Sequence, residues 1–186
     1  MNLKALKTYL QIYFFGPLKK WWHEELALAG VEAAMIFPIM LTLLLGVHDV
    51  GNAILANQKT IRASQVVADL IARQNIVSTS DVNEAVMAGE LAYAPIDSSS
   101  YGIDIVSVSF DDMANMDIEW RETVNMDEIS DVETRVAALA SPGEGVVMVA
   151  VQYEFEPLFA GFVIDTFRMQ EVAFSRGRSS PVVYHE

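Results

Sequence analysis

The sequence predicts an α+β protein. A long N-terminal transmembrane helix continues into a soluble amphipathic helix, which packs against a small antiparallel β-sheet domain. Three observations predict this. Residues 26–47, LALAGVEAAMIFPIMLTLLLGV, are almost wholly apolar, and at ~1.5 Å per residue such a run matches the ~30 Å of a bilayer's hydrocarbon core. After Pro38 no proline occurs until Pro95, and residues 52–73 are rich in helix formers, so the helix runs on past the span. From Ile103 the apolar period changes to two, the signature of strands. A helix buried in a soluble core is the competing reading, but a single domain of this size rarely covers so long a helix on every face.

Within the span the polar and small residues carry the information. An ionisable side chain at the centre of a membrane helix costs ~2.5–3.5 kcal/mol on insertion scales, so Glu32, in the first third, either faces a partner or snorkels to the edge. Pro38 removes a backbone hydrogen bond, which membrane helices tolerate. Ala29/Ala33 and Gly30/Ala34 follow the small-xxx-small spacing that lets a second helix approach closely.

Residues 1–25 read as a cytoplasmic segment with an interfacial helix. Leu3, Leu6, Leu10 and Tyr13/Phe14 recur at helical spacing beside Lys4 and Lys7, and Gly16-Pro17 ends the pattern. Lys19-Lys20 and Trp21-Trp22 mark the membrane boundary. The segment carries four lysines against Glu24 and Glu25, a balance of +2, whereas residues 48–186 carry eight Lys/Arg against 22 Asp/Glu, a balance of −14. Lysines ahead of the span place the N-terminus in the cytoplasm and the acidic domain outside.

Residues 48–75 extend the long helix, to about 72 Å in all at ~1.5 Å per residue. Its expected core stripe is Ile54, Ile61, Ala68 and Ala72, interrupted by Gln58 and Gln65. Residues 76–178 form the extracytoplasmic α+β domain. Ser78-Thr79-Ser80-Asp81 starts a short helix to about Tyr93, with Asp81 and Glu84 in a capping pattern. Two strands follow, the first alternating through Ile103, Ile105 and Ser107, the second through Met116, Ile118 and Trp120. A short helix at Val132–Ala140 precedes a strand from Val147 to Phe155 and a last one within residues 164–174. Residues 179–186 are a tail, loose from about Arg176 onwards.

A glutamate, a proline six residues on, a leucine run and then Gly46-x-x-Asp49-x-Gly51 inside one N-terminal helix resemble the TadE/TadG-like family, pilin-like proteins of bacterial tight-adherence (Flp-type) pilus systems. Glu32, Pro38, Gly46, Asp49 and Gly51 carry the resemblance, with Ala63 and Arg73 further on; it covers about residues 24–73 and continues loosely to Tyr153, Phe155 and Pro157. It implies a pilin-like fold and a single-pass protein of the bacterial inner membrane with its C-terminal domain in the periplasm. The implied partners are pilin-like subunits, the pilus assembly machinery and a prepilin peptidase. It also implies helix–helix assembly through Gly30, Glu32, Ala34, Pro38, Gly46, Asp49 and Gly51. Prepilin-type cleavage would fall between Ala27 and Leu28, with Ala27 where the family pattern has glycine; a cleaved and a permanently anchored chain both remain open.

Against this stands a membrane-anchored extracytoplasmic binding module unrelated to pili. A mere anchor needs no amphipathic continuation of about seven turns, which favours the assembly component. The acidic balance excludes nucleic acid as a partner, and the absence of cysteine excludes disulfides and thiol chemistry. His23, His48 and His185 form no pair at metal-ligand spacing, and neither a nucleophile elbow nor a phosphate-cradling glycine loop is present. Asp111, Asp112, Asn115, Asp117 and Glu119 offer the oxygens a calcium ion takes, but without the glycine and spacing of an EF-hand they read as a solvated turn. No enzyme activity, cofactor, metal or small-molecule substrate is expected.

Overall fold

A computed structural model describes residues 25–161 and 164–186, with side chains described from Leu28 onwards. The interfacial helix and the Lys19–Trp22 boundary expected from the sequence lie outside the described residues. The chain divides into two compact units between His48 and Asp49. One helix, α1 (Glu25–Ala72), contributes to both.

In the first unit α1 remains helical through Pro38. The Thr42 hydroxyl donates to the Pro38 carbonyl at 2.8 Å, the back-bond by which a threonine hides its polar group inside a helix. Side chains from Leu28 to Leu44 are exposed without exception.

The second unit opens with the remainder of α1 and continues through β1 (Ile76–Val77), α2 (Thr79–Leu91), β2 (Gly102–Phe110), β3 (Met116–Val124), α3 (Val132–Val136), β4 (Gly145–Phe155), β5 (Phe167–Ser175) and β6 (Tyr184–His185). Four strands form one antiparallel sheet in the order β3-β2-β4-β5. Alternation sorts its residues between two cores. Ile103, Ile105, Val147, Val149 and Val151 face α1 and α2, while Val106, Val108, Val146 and Met148 pack on Ile129, Val132 and Val136. The short helix after β3 thus closes the sheet's second face, which is why β2 and β4 are buried on both sides.

Three sequence expectations are corrected here. The buried stripe of α1 is Ala56, Thr60, Ala63, Ser64, Val67, Ala68, Ile71 and Ala72; Ile54 is exposed and Ile61 only partly covered. Close approach to the domain selects small side chains, and Thr60 and Ser64 enter the interior by bonding the Ala56 and Ile61 carbonyls at 2.9 and 2.8 Å. The cap of α2 is Ser78 rather than Asp81. The Ser78 hydroxyl accepts from the Asp81 N–H at 3.3 Å, and the Asp81 carboxylate accepts from the Ser78 N–H at 2.8 Å, a reciprocal capping box. The Ser78 hydroxyl, with the backbone N–H, holds the Asp81 carboxyl below the usual carboxylate range.

The C-terminal segment, finally, is not loose. Its β6 pairs in parallel with β1, Ile76 opposite Tyr184 and Val77 opposite His185. Val182 and Val183 are buried, and the Val183 carbonyl accepts from the Ser107 hydroxyl (2.7 Å) and the Trp120 indole (2.9 Å). The Arg178 N–H and the Ser179 hydroxyl bond the Ala72 and Arg73 carbonyls, satisfying the exposed end of α1. Backbone pairing and two valines accomplish what a polar, glycine-containing sequence conceals.

Candidate functional site

The residues that carry the family resemblance fall in two settings along α1. Gly30, Glu32, Ala34 and Pro38, in the first unit, are exposed, and Gly46 is half-buried. Ala27 lies in the helix and Leu28 is exposed. Among the described residues a Cβ added at Gly30, Gly46 or Gly51 meets nothing within 4 Å, so their packing does not account for these glycines. α1 is long and apolar enough to cross a membrane, and its apolar stretch is not buried among the described residues.

Asp49 differs from the rest. Only 5% of its surface is exposed. Its carboxylate accepts three backbone N–H groups from the loop after β4: Leu158 at 3.2 Å, Phe159 at 2.8 Å and Ala160 at 2.6 Å. Charge-assisted bonds of this kind are the strong ones, and here they fix a loop some 110 residues away in sequence onto the first turn of the second unit. Asp49 is therefore engaged within its own domain. Gly51, two residues on, is exposed.

The α1 segment of the second unit is held in place by a tyrosine cluster. Tyr93 donates to the Thr60 hydroxyl at 2.9 Å, stacks on Tyr153 with ring centroids 5.0 Å apart, and meets Tyr101 edge-on at 5.5 Å. Burial pushes the Tyr93 phenol up to about 12 and raises that of Tyr101 as well. Gly89 makes room for the cluster, since a Cβ there would lie 2.4 Å from the Tyr101 hydroxyl and 2.7 Å from a Val67 methyl. Lys59 reaches the C-terminal end of α2 and donates to the Ala92 and Ala94 carbonyls, the end of a helix where a cation is favoured.

A buried ion pair organises the opposite face. Asp104, fully buried on β2, accepts from the Arg121 guanidinium on β3 at 2.9 and 2.5 Å. The Thr123 hydroxyl (3.0 Å) and the Ile129 N–H (2.9 Å) complete its shell. Arg121 also donates to the Ile129 carbonyl at 3.0 Å, and its guanidinium is held above its ordinary value chiefly by the hydrogen bonds to Asp104. These bonds let the pair pin the loop after β3.

In the acidic loop one carboxylate is engaged locally. Asp111 accepts from the Met113 and Asn115 N–H groups and the Asn115 amide, all at 2.8 Å, and the Asn115 side chain is the first cause of its lowered carboxyl pKa. Among the described residues no group of three or more His, Asp or Glu side chains is placed to hold a metal ion. A depression of about 360 Å³ lies between Gly143–Gly145 and the 176–181 segment. Its cations are already paired, Arg176 with Glu144 and Arg178 with Asp69.

Residues 29–69 match the family model described as TadE-like protein, so the similarity to that family lies in this helical segment. The match takes in Glu32, Pro38, Gly46, Asp49, Gly51 and Ala63, and ends before Arg73. No curated relative and no solved structure matches the chain.

Proposed function

We propose that this chain is a pilin-like structural or assembly component of a bacterial tight-adherence (Flp-type) pilus. In this reading α1 anchors it in the inner membrane, with the N-terminus cytoplasmic and the acidic domain in the periplasm. One observation carries the reading. The TadE-like match covers the segment in which an exposed apolar stretch becomes a domain-forming helix, and the glycines of that stretch lack a packing reason among the described residues. Small residues on a membrane helix permit close approach of a second helix, and pilin-like subunits are the partners this reading supplies. The role is structural rather than catalytic.

Deleting the chain from a bacterium that displays such pili tests the reading. Loss of surface pili, restored by the wild-type chain, is the expected result; undiminished piliation of the deletion strain contradicts it. Protease added to spheroplasts should digest residues 76–186, and protection of that domain would reverse the topology. Within the same reading, Glu32→Ala leaves membrane insertion intact or favours it while weakening co-purification with pilin-like partners. Equal recovery of partners by the variant removes Glu32 from the assembly surface.

A further inference from the structure

We infer that the loop after β4 is a second membrane contact, resting on the lipid surface beside the point where the chain leaves the bilayer. The inference rests on the membrane-anchored reading of α1. The apolar run ends at Val47, and Asp49 follows two residues later, a helical rise of ~3 Å. The three hydrogen bonds from Leu158, Phe159 and Ala160 to the Asp49 carboxylate therefore tie the backbone of this loop to a residue two positions along the chain from the end of the apolar run.

The loop is built of the residues an interface takes. Pro157 to Gly161, PLFAG, is an uncharged run in a domain of strongly negative balance. Pro157 is buried, so the run is seated in the domain, yet Leu158 leaves 72% of its surface exposed. Phe159 is exposed too, as is Ile164, whose N–H bonds the Ala160 carbonyl at 2.8 Å. Val50, beside Asp49 on α1, adds a further exposed aliphatic side chain. A single exposed leucine needs no explanation. Several apolar side chains held by a buried carboxylate, two residues beyond a membrane-crossing stretch, fit lipid as the occupant.

The chain has no cysteine, so single cysteines report specific positions. Full-length protein carrying Leu158→Cys, Leu43→Cys or Met113→Cys is labelled with an environment-sensitive fluorophore. It is then reconstituted in vesicles of phosphatidylethanolamine and phosphatidylglycerol, with and without brominated phosphatidylcholine. The Leu158→Cys probe is expected to shift to the blue and lose fluorescence to the brominated lipid, while the Met113→Cys probe, on an exposed turn, does neither. The Leu43→Cys probe reports the span. Quenching there without quenching at Leu158→Cys overturns the loop contact alone, whereas no quenching at Leu43→Cys overturns the membrane reading as well. A blue shift at Leu158→Cys without bromine quenching assigns the loop to a protein partner and equally overturns the lipid contact.

Discussion

The two halves of α1 invert each other. From Leu28 to Leu44 the helix carries Leu, Ile, Met and Phe, all exposed; from Ala56 to Ala72 its inward face is mainly Ala, Thr, Ser and Val, with Ile71, all buried. In the membrane-anchored reading, size and apolarity in the first half serve a solvent, since a hydrocarbon environment makes no demand on side-chain shape. The second half serves a sheet and a tyrosine cluster, where approach distance matters more than hydrophobic area. Burial in the structure and hydropathy in the sequence therefore run in opposite directions along one helix. The crossover lies at Asp49, the polar residue that closes the first turn of the domain.

If this comparison holds, damage to the domain's interior leaves the anchor untouched. Arg121→Met should have the largest effect, about 3–5 kcal/mol of domain stability, because Asp104 would remain buried without its partner. Urea unfolding of the lipid-embedded protein, followed by tryptophan fluorescence, measures the loss. The double variant Asp104→Leu/Arg121→Met should recover much of it. A single variant as stable as wild type would remove the ion pair from the account.

Asp49→Ala sharpens the comparison at the crossover. Losing a carboxylate that accepts three backbone N–H groups should cost about 1.5–3 kcal/mol. Hydrogen exchange at Leu158, Phe159 and Ala160 should accelerate, while exchange in residues 28–47 stays unchanged. Unaltered protection of the loop would show that Pro157 and its neighbours seat it without Asp49.

A smaller effect is expected at the start of α2, where Ser78→Ala removes the cap and should cost about 1 kcal/mol. Its pH dependence has a definite sign. Because the Asp81 carboxyl is lowered in the folded protein, the capping contribution is present above the ordinary carboxylate range and is lost as pH falls through the lower folded value. Wild type and variant should therefore converge in acid, and a gap that widens in acid would contradict the capping box.

At the alkaline end, burial raises Tyr93 to about 12. The folded state holds that proton after an unfolded tyrosine, at about 10, has released it. Stability should therefore fall between pH 10 and 12. Absorbance titration of Tyr93→Phe should show the loss of a late-titrating phenol, and loss of an early one would place Tyr93 in solvent.

How much of this was legible in the sequence depended on how local the cause was. The apolar run, the shift from helical period to period two and the start of α2 each involve neighbours, and each is present in the fold. The core stripe of α1 escaped because Ala56, Thr60 and Ala63 carry little hydropathic signal, and because the hydroxyls of Thr60 and Ser64 are satisfied by the helix itself. Asp104 sits between Ile103 and Ile105, where strand alternation turns it to the opposite face, and its partner, 17 residues on, is set by strand register. The latch from Asp49 to Phe159, 110 residues apart, and the pairing of β1 with β6 depend on tertiary placement, which a single sequence does not encode by spacing.

The central claim is that lipid surrounds the first half of α1 and protein surrounds the second. Cysteine accessibility in lipid vesicles tests it most directly. Leu43→Cys and Val67→Cys, the second fully buried in the domain, are treated with a membrane-impermeant maleimide before and after addition of urea, which unfolds the domain but leaves the bilayer intact. The account predicts that neither labels in native vesicles and that urea exposes Val67→Cys alone. Labelling of Leu43→Cys in native vesicles would contradict it.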